Sequence, residues 1–430
     1  MKIKIEKTNN ICGEISISGS KNACLPILTV CLLTNELIHL QNVPNILDVE
    51  YMLELLKITG VRIKRCEETN EVYLKRKKIK SKITSHYLNQ IRASYYLMGA
   101  LFSEKRIVKT KNPGGCNFTT RPIDYHLEAF KQMGADIKVD NDDIIMKRKT
   151  KKNINITLKN KSLGTTINII LACVKTKGVS IINNPSLEPE VLDLIDILNK
   201  MNGDIKVDND TIIVTGVKKL VGTTHKIIPD RMEAGSYICL AASVEKSNIL
   251  LKNVNINHLE NVLNTFKKSG LNIIYEKNGL RIIKNNQLSN MKIIANHYPE
   301  YPTDLQQPIV STLLKANNIS LIKDLIYPNR FSEIFELLSM RANLYLRNQA
   351  LLVFPSKLIG KEVYAADLRA GFSLIIAGVC AEGVTIINHA EVILRGYDNL
   401  VEKLRSLNIN VKIVWKLLYN LEKCDIILMC

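Results

Sequence analysis

Residues 135–145 (ADIKVDNDDII) and residues 203–213 (GDIKVDNDTII) are two nearly identical stretches of one chain of 430 residues. In each stretch, a short run of alternating apolar and polar residues leads into an Asn-Asp turn and a second apolar run. This pattern predicts a β-hairpin. Four related hairpin sequences occur elsewhere, and the aligned apolar positions of the six copies are separated by 74, 68, 68, 71 and 67 residues: Ile63, Ile137, Ile205, Ile273, Leu344 and Val411. Such a regular recurrence predicts a fold made of six copies of one unit.

The segments between the hairpins repeat as well. In the third copy, an apolar helical segment at residues 163–175 precedes the strand VSIINNP, and an amphipathic helical segment then leads to the hairpin. The predicted unit is β-α-β-α-β-β, with buried first helices and with second helices on the outside. DIILM at residues 425–429 is a candidate for the last strand of the sixth hairpin. Six units divide into two lobes of three, and a ligand is expected in the cleft between the lobes.

Composition and cysteine spacing argue against several classes of protein. The hydrophobic content is 46%, and the longest apolar runs are far shorter than the ~20 residues that a membrane-spanning helix needs. The N-terminal sequence MKIKIEKTNN has no apolar region of the kind found in secretory signals, which predicts a cytoplasmic protein. The ten cysteines include no CxxC pair, which argues against a zinc site.

The net charge of +18 raises nucleic acid as a partner. However, the lysines are spread along the whole chain, and aromatic residues make up only 6% of it. This distribution favours anionic small molecules as the ligands, and no nucleic-acid partner is expected. A basic, non-catalytic nucleic-acid-binding repeat protein remains the alternative, and it predicts salt-sensitive binding to RNA or DNA.

Charged and polar residues recur at two equivalent places in the units. The first place is the start of the apolar helix: Lys21, Arg92, Ser162, Arg231, Asp304 and Arg369. The second place is the loop that opens the second helix: Cys116, Arg121, Glu188, Arg330 and Arg395. Helix N-termini carry unpaired N–H donors and a partial positive charge, and lysine or arginine strengthens their attraction for anions. The expected ligand therefore carries several negative charges.

The sequence closely resembles the UDP-N-acetylglucosamine 1-carboxyvinyltransferase family. The resemblance covers essentially residues 1–420 and rests on seven motifs in order: GSKNA, PGGC followed by RPID, PDRMEAG, YPTDLQ, NRF, DLRAG and RGY. It implies a two-lobed inside-out α/β barrel built from six β-α-β-α-β-β repeats of about 70 residues. It also implies that residues 22–229 form the first lobe, and that residues 1–21 join residues 230–430 in the second.

The resemblance also implies a reaction. Enzymes of this family add the 3′-hydroxyl of UDP-N-acetylglucosamine to C2 of phosphoenolpyruvate and then eliminate phosphate, in the first committed step of peptidoglycan synthesis. By resemblance, Cys116 on a mobile loop at residues 111–124 gives a proton to C3, and it can form a covalent phospholactoyl adduct. Asp304 takes the proton from the hydroxyl, and Lys21 and Arg395 complete the catalytic set.

The expected surroundings of Cys116 fit this role. Proximity to Lys21, Arg121 and a helix N-terminus lowers the pKa of a thiol and makes it reactive. A general acid must keep its proton, so the anionic substrate is expected to raise that pKa again on binding.

Binding residues follow from the resemblance in three groups. Phosphoenolpyruvate is expected at Lys21, Asn22, Arg92, Arg121 and Arg395. The UDP-sugar is expected at Arg92, Arg121, Pro122, Ile123, Asp124, Ser162, Gly164, Asp304 and Ile326. Supporting roles in closure and orientation are expected for Glu188, Arg231, Arg330, Asp367 and Arg369. Neither a metal ion nor a cofactor is expected.

Alternatives remain open at several positions. Asp304 also fits an ordinary helix cap, since a carboxylate is favoured at the start of a helix. Arg231, Arg330 and Arg369 also fit structural ion pairs. His126, two residues after Asp124, is a minor candidate for a ligand contact, and it fits an exposed position on a helix better. The nearest alternative activity is enolpyruvyl transfer to shikimate 3-phosphate, but those enzymes lack the loop cysteine and carry Ser-rich phosphate motifs that are not found here. An inactive second copy of a transferase is the remaining alternative.

Overall fold

The computed structural model describes residues 1–114 and 123–414, so Cys116, Arg121 and Pro122 lie outside the described residues. The chain begins with two strands, β1 (Lys2–Glu6) and β2 (Asn10–Ser16). The elements of the first three units follow: α1 (Lys21–Leu28), β3 (Ile38–Gln41), α2 (Leu47–Thr59), β4 (Val61–Cys66), β5 (Glu71–Arg76), α3 (Tyr96–Glu104), β6 (Ile107–Lys111), α4 (Asp124–Gln132), β7 (Ala135–Asp140), β8 (Asp143–Arg148), β9 (Asn155–Thr157), α5 (Leu163–Cys173), β10 (Gly178–Asn183), α6 (Pro189–Lys200), β11 (Asp204–Asp208) and β12 (Thr211–Gly216).

The last three units are organised in the same way. Their elements are β13 (Thr223–Lys226), α7 (Arg231–Ser243), β14 (Lys246–Lys252), α8 (Glu260–Lys268), β15 (Asn272–Glu276), β16 (Gly279–Lys284), β17 (Lys292–Ala295), α9 (Gln306–Leu313), β18 (Ser320–Asp324), α10 (Ile334–Ser339), β19 (Asn343–Arg347), β20 (Ala350–Phe354), β21 (Glu362–Tyr364), α11 (Leu368–Cys380), β22 (Val384–Asn388), α12 (Leu400–Ser406) and β23 (Val411–Val414). Short 3₁₀ turns precede four helices of these six units: Arg92–Tyr95 before α3, Ile256–His258 before α8, Thr303–Leu305 before α9 and Ala390–Arg395 before α12.

The six predicted hairpin positions all fall on the first strand of a hairpin, or on β23 in the sixth unit. Over the described residues, the strands form six sheets, of which five have four strands and one has three. A typical sheet is β9-β10-β12-β11, in which β9 and β10 are parallel and the hairpin strands are antiparallel. Each sheet therefore corresponds to one repeat of the sequence.

The two halves of the chain exchange strands. β2 pairs in parallel with β14 of the fourth unit, and β13 pairs in parallel with β3 of the first unit. The two crossing segments meet where Gly19 bridges Pro229. As a result, each half completes a sheet of the other, and the start of α1 lies beside the start of α7.

β1 lies between β22 and β23 and is antiparallel to both. This is the place that the second hairpin strand holds in the other five sheets. The sequence analysis assigned this place to residues 425–429, and the structure shows β1 in it. Residues 425–429 themselves lie outside the described part of the chain.

Two hydrophobic cores lie under the sheets. One core uses residues between Ala23 and Ile227, and the other combines apolar residues of β1 and β2 with residues between Met232 and Val411. The first helices are buried almost completely, and all 13 residues of α7 are buried. The strands alternate between buried and exposed residues, as in β1. The apolar helices therefore form the interior and the sheets cover them, as the repeat pattern predicted.

Candidate active site

A cleft of about 740 Å³ receives residues from both halves of the chain. It brings together thirteen of the predicted site residues: Lys21, Asn22, Arg92, Asp124, Ser162, Gly164, Glu188, Arg231, Asp304, Ile326, Arg330, Asp367 and Arg395. Of the predicted residues that the structure describes, two do not line it. Ile123 is buried next to the start of α4, and Arg369 contacts two residues of the lining, Asp304 and Asp367.

One carboxylate holds two helix starts together across the strand exchange. Asp230 Oδ1 accepts hydrogen bonds from the backbone N–H groups of Met232 and Glu233 at the start of α7, over 2.7 and 3.0 Å. Its Oδ2 accepts from the backbone N–H of Lys21 at the start of α1, over 3.1 Å. The position of Lys21 is thereby tied to the second half of the chain.

Asp48 is a site residue that the sequence analysis missed. Its Oδ2 lies 2.7 Å from Lys21 Nζ, and its Oδ1 accepts a hydrogen bond from Arg395 Nε over 2.8 Å. Arg395 also donates to the backbone oxygen of Gln90 over 3.0 Å. Asp48 lies in the first turn of α2, where an acidic residue is common for reasons of helix stability alone. The sequence therefore offered no signal that this carboxylate faces the cleft.

Asp304 is held by two arginines. Arg330 Nη1 donates to Asp304 Oδ1 over 2.7 Å, and Arg369 Nη2 donates to Asp304 Oδ2 over 3.2 Å. Burial alone would raise the pKa of Asp304, but the two guanidinium charges outweigh it and hold that pKa well below its usual range. The Asp304 side chain makes no cap hydrogen bond to the turn in which it lies. Arg330 and Arg369 therefore form ion pairs, as the alternative interpretation of these residues predicted.

A second cluster of ion pairs joins the lobes. Arg231 Nη2 lies 2.8 Å from Glu188 Oε2, and Arg231 Nε lies 3.0 Å from Glu190 Oε1. The Arg231 guanidinium also lies 5.3 Å from the centre of the Tyr298 ring. Burial raises the pKa of Glu188 to about 7, although the Arg231 charge opposes the shift. Arg231 therefore links the start of α7 to the start of α6.

A buried polar network adjoins Arg330. Asp367 Oδ2 accepts from Ser332 Oγ over 2.9 Å and from Gln307 Nε2 over 3.3 Å. Gln307 Nε2 also donates to Glu333 Oε2 over 2.9 Å. The Glu333 side chain is fully buried, and burial raises its pKa to about 7. Gln307 thus connects two carboxylates, one of which lines the cleft.

The opposite part of the cleft is formed by α5 and the turn before α3. Ser162 Oγ caps α5 by accepting from the backbone N–H of Thr165 over 3.3 Å. The Arg92 guanidinium lies 5.7 Å from the centre of the Tyr95 ring. A methyl group on Gly164 would lie 2.5 Å from Tyr95 Oη, so the glycine permits this close contact. A helix start, an arginine and an aromatic ring thus face the same space.

His126 is buried and lines the cleft, so the interpretation of an exposed helix position was wrong. Its ring packs 4.7 Å from the ring of Tyr95, and its Nδ1 lies 2.9 Å from Asn168 Nδ2. The sequence predicts that this histidine lies in the first turn of an amphipathic helix. It does not show that α5 packs against the histidine and buries it.

Asp193, Asp196 and His225 are the described residues whose ligand atoms are close enough to hold a metal ion. Lys200 Nζ lies 2.6 Å from Asp196 Oδ2 and 3.4 Å from His225 Nδ1. The Lys200 ammonium group therefore already pairs with one of the two carboxylates of this cluster, which does not line the cleft. Among residues 1–114 and 123–414, no helix has the length and apolarity required to cross a bilayer.

Comparisons with known proteins find relatives along nearly the whole chain. Residues 5–404 match the family model of EPSP synthase (3-phosphoshikimate 1-carboxyvinyltransferase). A UDP-N-acetylglucosamine 1-carboxyvinyltransferase of Halothermothrix orenii is 37% identical over 96% of this chain and 99% of its own length. UDP-N-acetylglucosamine 1-carboxyvinyltransferase 2 of Staphylococcus aureus is 38% identical over 95% of this chain and 98% of its own length.

Solved structures show the same fold at low identity. The enolpyruvyl transferase NikO from Streptomyces tendae superposes with a TM-score of 0.88 at 18% identity, covering 96% of this chain and 98% of that one. EPSP synthase from Acinetobacter baumannii gives 0.75 at 18% identity, covering 96% and 100%. The predicted fold class, the two-lobed inside-out α/β barrel of six repeats, is confirmed. From its similarity to the curated relatives, this chain belongs to the UDP-N-acetylglucosamine 1-carboxyvinyltransferase family of enolpyruvyl transferases.

Proposed function

We propose that the protein transfers the enolpyruvyl group of phosphoenolpyruvate to the 3′-hydroxyl of UDP-N-acetylglucosamine and releases phosphate. The observation that carries the proposal is the convergence of Lys21, Arg395 and Asp304 on one cleft. Lys21 comes from the first half of the chain, and Arg395 and Asp304 come from the second half. The two cations suit an anionic substrate, and the carboxylate suits a proton transfer. The family membership adds support, because the relatives carry the name of this reaction.

Phosphoenolpyruvate binds through its phosphate and carboxylate to Lys21, Asn22 and Arg395, with Arg92 and Arg121 nearby. Its anionic groups replace the Asp48 carboxylate, which neutralises Lys21 and Arg395 in the substrate-free protein. Arginine suits this role because its planar guanidinium can bind an anion through two hydrogen bonds.

The addition step forms a bond between the sugar 3′-oxygen and C2 of phosphoenolpyruvate. The hydroxyl proton goes to Asp304, and C3 receives a proton from the Cys116 thiol. In the elimination step, the Cys116 thiolate takes a proton back from C3, the C2=C3 double bond re-forms, and phosphate leaves C2 with the electrons of the broken C–O bond. Addition of the Cys116 thiol across the same double bond, with sulfur bonded to C2 and a proton added to C3, gives the phospholactoyl adduct instead.

Asp304 enters the reaction as an ionised carboxylate. Its two ion pairs keep it deprotonated but also make it a weak base. Replacement of one arginine contact by the sugar hydroxyl raises the basicity of Asp304 when the nucleophile is in place. Arg330 and Arg369 therefore act as positioning residues for the base, and Asp367 supports them.

The UDP-sugar lies along Arg92, Ser162, Gly164 and Asp124, and Ile326 covers it from the second half of the chain. Its remaining contacts are proposed at Arg121, Pro122 and Ile123. Residues 22–229 form one lobe and residues 1–21 with 230–430 the other, and Glu188 and Arg231 link the two lobes at the cleft.

The reaction is the first committed step of peptidoglycan synthesis, and we place it in the cytoplasm, where it serves cell-wall growth, cell shape and division. The substrates are small molecules, and neither a nucleic-acid partner nor a membrane partner is proposed.

Phosphate release from phosphoenolpyruvate tests the proposal directly. Release is expected with UDP-N-acetylglucosamine, and none is expected with shikimate 3-phosphate. Fosfomycin should alkylate Cys116 and stop the reaction, and Cys116→Ala should abolish it. Activity that survives both treatments would contradict the role of the thiol, and release with shikimate 3-phosphate alone would establish the alternative reaction.

A further inference from the structure

A buried network joins the chain segments that carry Asp304 and the two arginines that hold it. Gln307 lies three residues after Asp304 in the sequence, and Glu333 lies three residues after Arg330. Gln307 Nε2 donates a hydrogen bond to Glu333 Oε2 over 2.9 Å, and both side chains are fully buried. The segment of the base and the segment of its first arginine are therefore held together outside the lining of the cleft.

Asp367 adds the segment of the second arginine to this network. Its Oδ1 accepts hydrogen bonds from the backbone N–H groups of Arg369 and Ala370 over 2.9 and 3.1 Å, at the start of α11. Its Oδ2 accepts from Ser332 Oγ over 2.9 Å and from Gln307 Nε2 over 3.3 Å. A change in the network would therefore displace both arginines that hold the base.

Two acceptor atoms of the network have no hydrogen-bond donor among the residues that the structure describes. They are Glu333 Oε1 and Gln307 Oε1, which belong to two side chains that already share one hydrogen bond. A carboxylate oxygen and an amide oxygen can only accept, so an ionised Glu333 leaves both atoms unpaired at a cost in free energy. A proton on Glu333 Oε1 makes this atom a donor, and a second hydrogen bond to Gln307 Oε1 can then form.

The surroundings of Glu333 also favour the protonated acid. Burial raises the pKa of Glu333 to about 7, and the charge of Asp367 adds to the shift. The hydrogen bond from Gln307, the backbone N–H of Glu333 and the charge of Arg330 oppose it. An ionised Glu333 would add a second carboxylate next to Asp367 and would compete with Asp304 for the Arg330 guanidinium.

We propose that Glu333 is a positioning residue for the Asp304 base. Its carboxylic acid donates a hydrogen bond to Gln307 Oε1, and this neutral pair holds the two arginines against the base. Loss of the proton to solvent breaks that hydrogen bond and draws Arg330 away from Asp304, so that enolpyruvyl transfer slows. The inference rests on the proposed function, because it assumes that Asp304 is the base.

The dependence of kcat on pH tests this role. Glu333→Gln replaces the acid with an amide that can form the same two hydrogen bonds but cannot ionise. Phosphate release from phosphoenolpyruvate and UDP-N-acetylglucosamine gives kcat between pH 6 and pH 8.5. The ratio of kcat in Glu333→Gln to kcat in the wild type should rise at least about threefold over this range, because only the wild type loses the proton. Ionisation of the Cys116 thiol affects both proteins alike and cancels in the ratio.

Glu333→Leu is the matched comparison, because its side chain forms neither hydrogen bond. At pH 6, its kcat should be at least about tenfold below that of Glu333→Gln. Equal kcat values of the two variants at pH 6 would overturn the inference. A ratio of Glu333→Gln to wild type that stays constant with pH would also overturn it, and this test does not require Glu333→Leu to fold.

Infrared spectroscopy detects the proton without any measurement of activity. At pH 6, the difference spectrum between the wild type and Glu333→Gln should contain the carbonyl band of a protonated carboxylic acid, and this band should vanish at pH 8.5. Absence of the band at pH 6 would overturn the inference even in an active enzyme. A wild-type protein that shows the band but releases no phosphate would overturn the proposed function, and the inference with it.

Discussion

Arg395 donates a hydrogen bond from Nε to Oδ1 of Asp48 over 2.8 Å, which joins two residues 347 positions apart in the sequence. The other oxygen of the same carboxylate lies 2.7 Å from Lys21 Nζ. The Asp48 side chain is only 5% exposed. One buried carboxylate therefore bridges the two cations that are proposed to hold the substrate anion, and it offsets one of their two charges.

Asp48→Asn should destabilise the protein because the variant loses the carboxylate that bridges the Lys21 and Arg395 cations. Removal of one partner from a largely buried ion pair costs about 3 kcal/mol or more. Inorganic phosphate should restore much of this loss, since an anion that binds the folded state stabilises it by mass action. Thermal unfolding with and without phosphate measures both effects, and the gain from phosphate should be larger in the variant.

Glu54→Gln is the matched control for Asp48→Asn. Glu54 Oε1 lies 2.6 Å from Lys57 Nζ, but both side chains are solvent-exposed. Such a pair contributes about 0–1 kcal/mol, so this variant should behave like the wild type with and without phosphate. If Asp48→Asn is as stable as Glu54→Gln, the carboxylate does not balance the two cations.

Asp304→Asn should lower kcat by about 10²–10⁴-fold, the range expected when a general base is removed. The amide keeps the shape of the side chain but cannot take up the hydroxyl proton. Because the two arginines hold the pKa of Asp304 well below its usual range, protonation of Asp304 should not limit the rate above pH 5. Steady-state kinetics across pH check both statements. A variant with more than a tenth of the wild-type kcat would rule out Asp304 as the base.

The sequence predicted the features that depend on local pattern. The hairpin alternation around Ile137 and Ile205 depends on neighbouring residues alone, so the six-fold repeat could be predicted, whereas the inside-out barrel followed from the resemblance to the family. The charged residues at helix starts could also be predicted to meet, because equivalent positions of a repeat face the same side. Asp48 and His126 could not be found in this way. Their roles depend on partners in other units, and nothing in their own surroundings in the sequence distinguishes them from ordinary helix residues.

The use of β1 as the inner strand of the sixth sheet escaped prediction for the same reason. Its alternating sequence is typical of any half-buried strand, and β1 is separated from its partner β22 by almost the whole chain. A strand pattern shows which face is buried but does not identify the neighbouring strand.

Gly164→Ala should destabilise the protein by about 1–3 kcal/mol, the usual cost of overpacking a buried site. The added methyl group would lie 2.5 Å from Tyr95 Oη, so the ring must move. Tyr95→Leu removes the atoms that clash, and Gly164→Ala should then cost much less in that background. Unfolding measurements on the two single variants and the double variant test this. Strictly additive effects on the free energy of unfolding would show that Tyr95 does not limit the size of the side chain at position 164.

Glu333→Gln should change how stability depends on pH. Burial raises the pKa of Glu333 to about 7, so the folded state holds a proton that the unfolded state has already lost above its ordinary carboxyl pKa. The contribution of this proton to the free energy of unfolding is complete below that ordinary pKa. It is lost as the pH rises to about 7, which lowers the free energy of unfolding by about 2–3 kcal/mol. The glutamine cannot ionise. Urea titrations at pH 5 and pH 8 should therefore show the variant gaining stability relative to the wild type at the higher pH, and a constant difference would mean that Glu333 does not bind this proton.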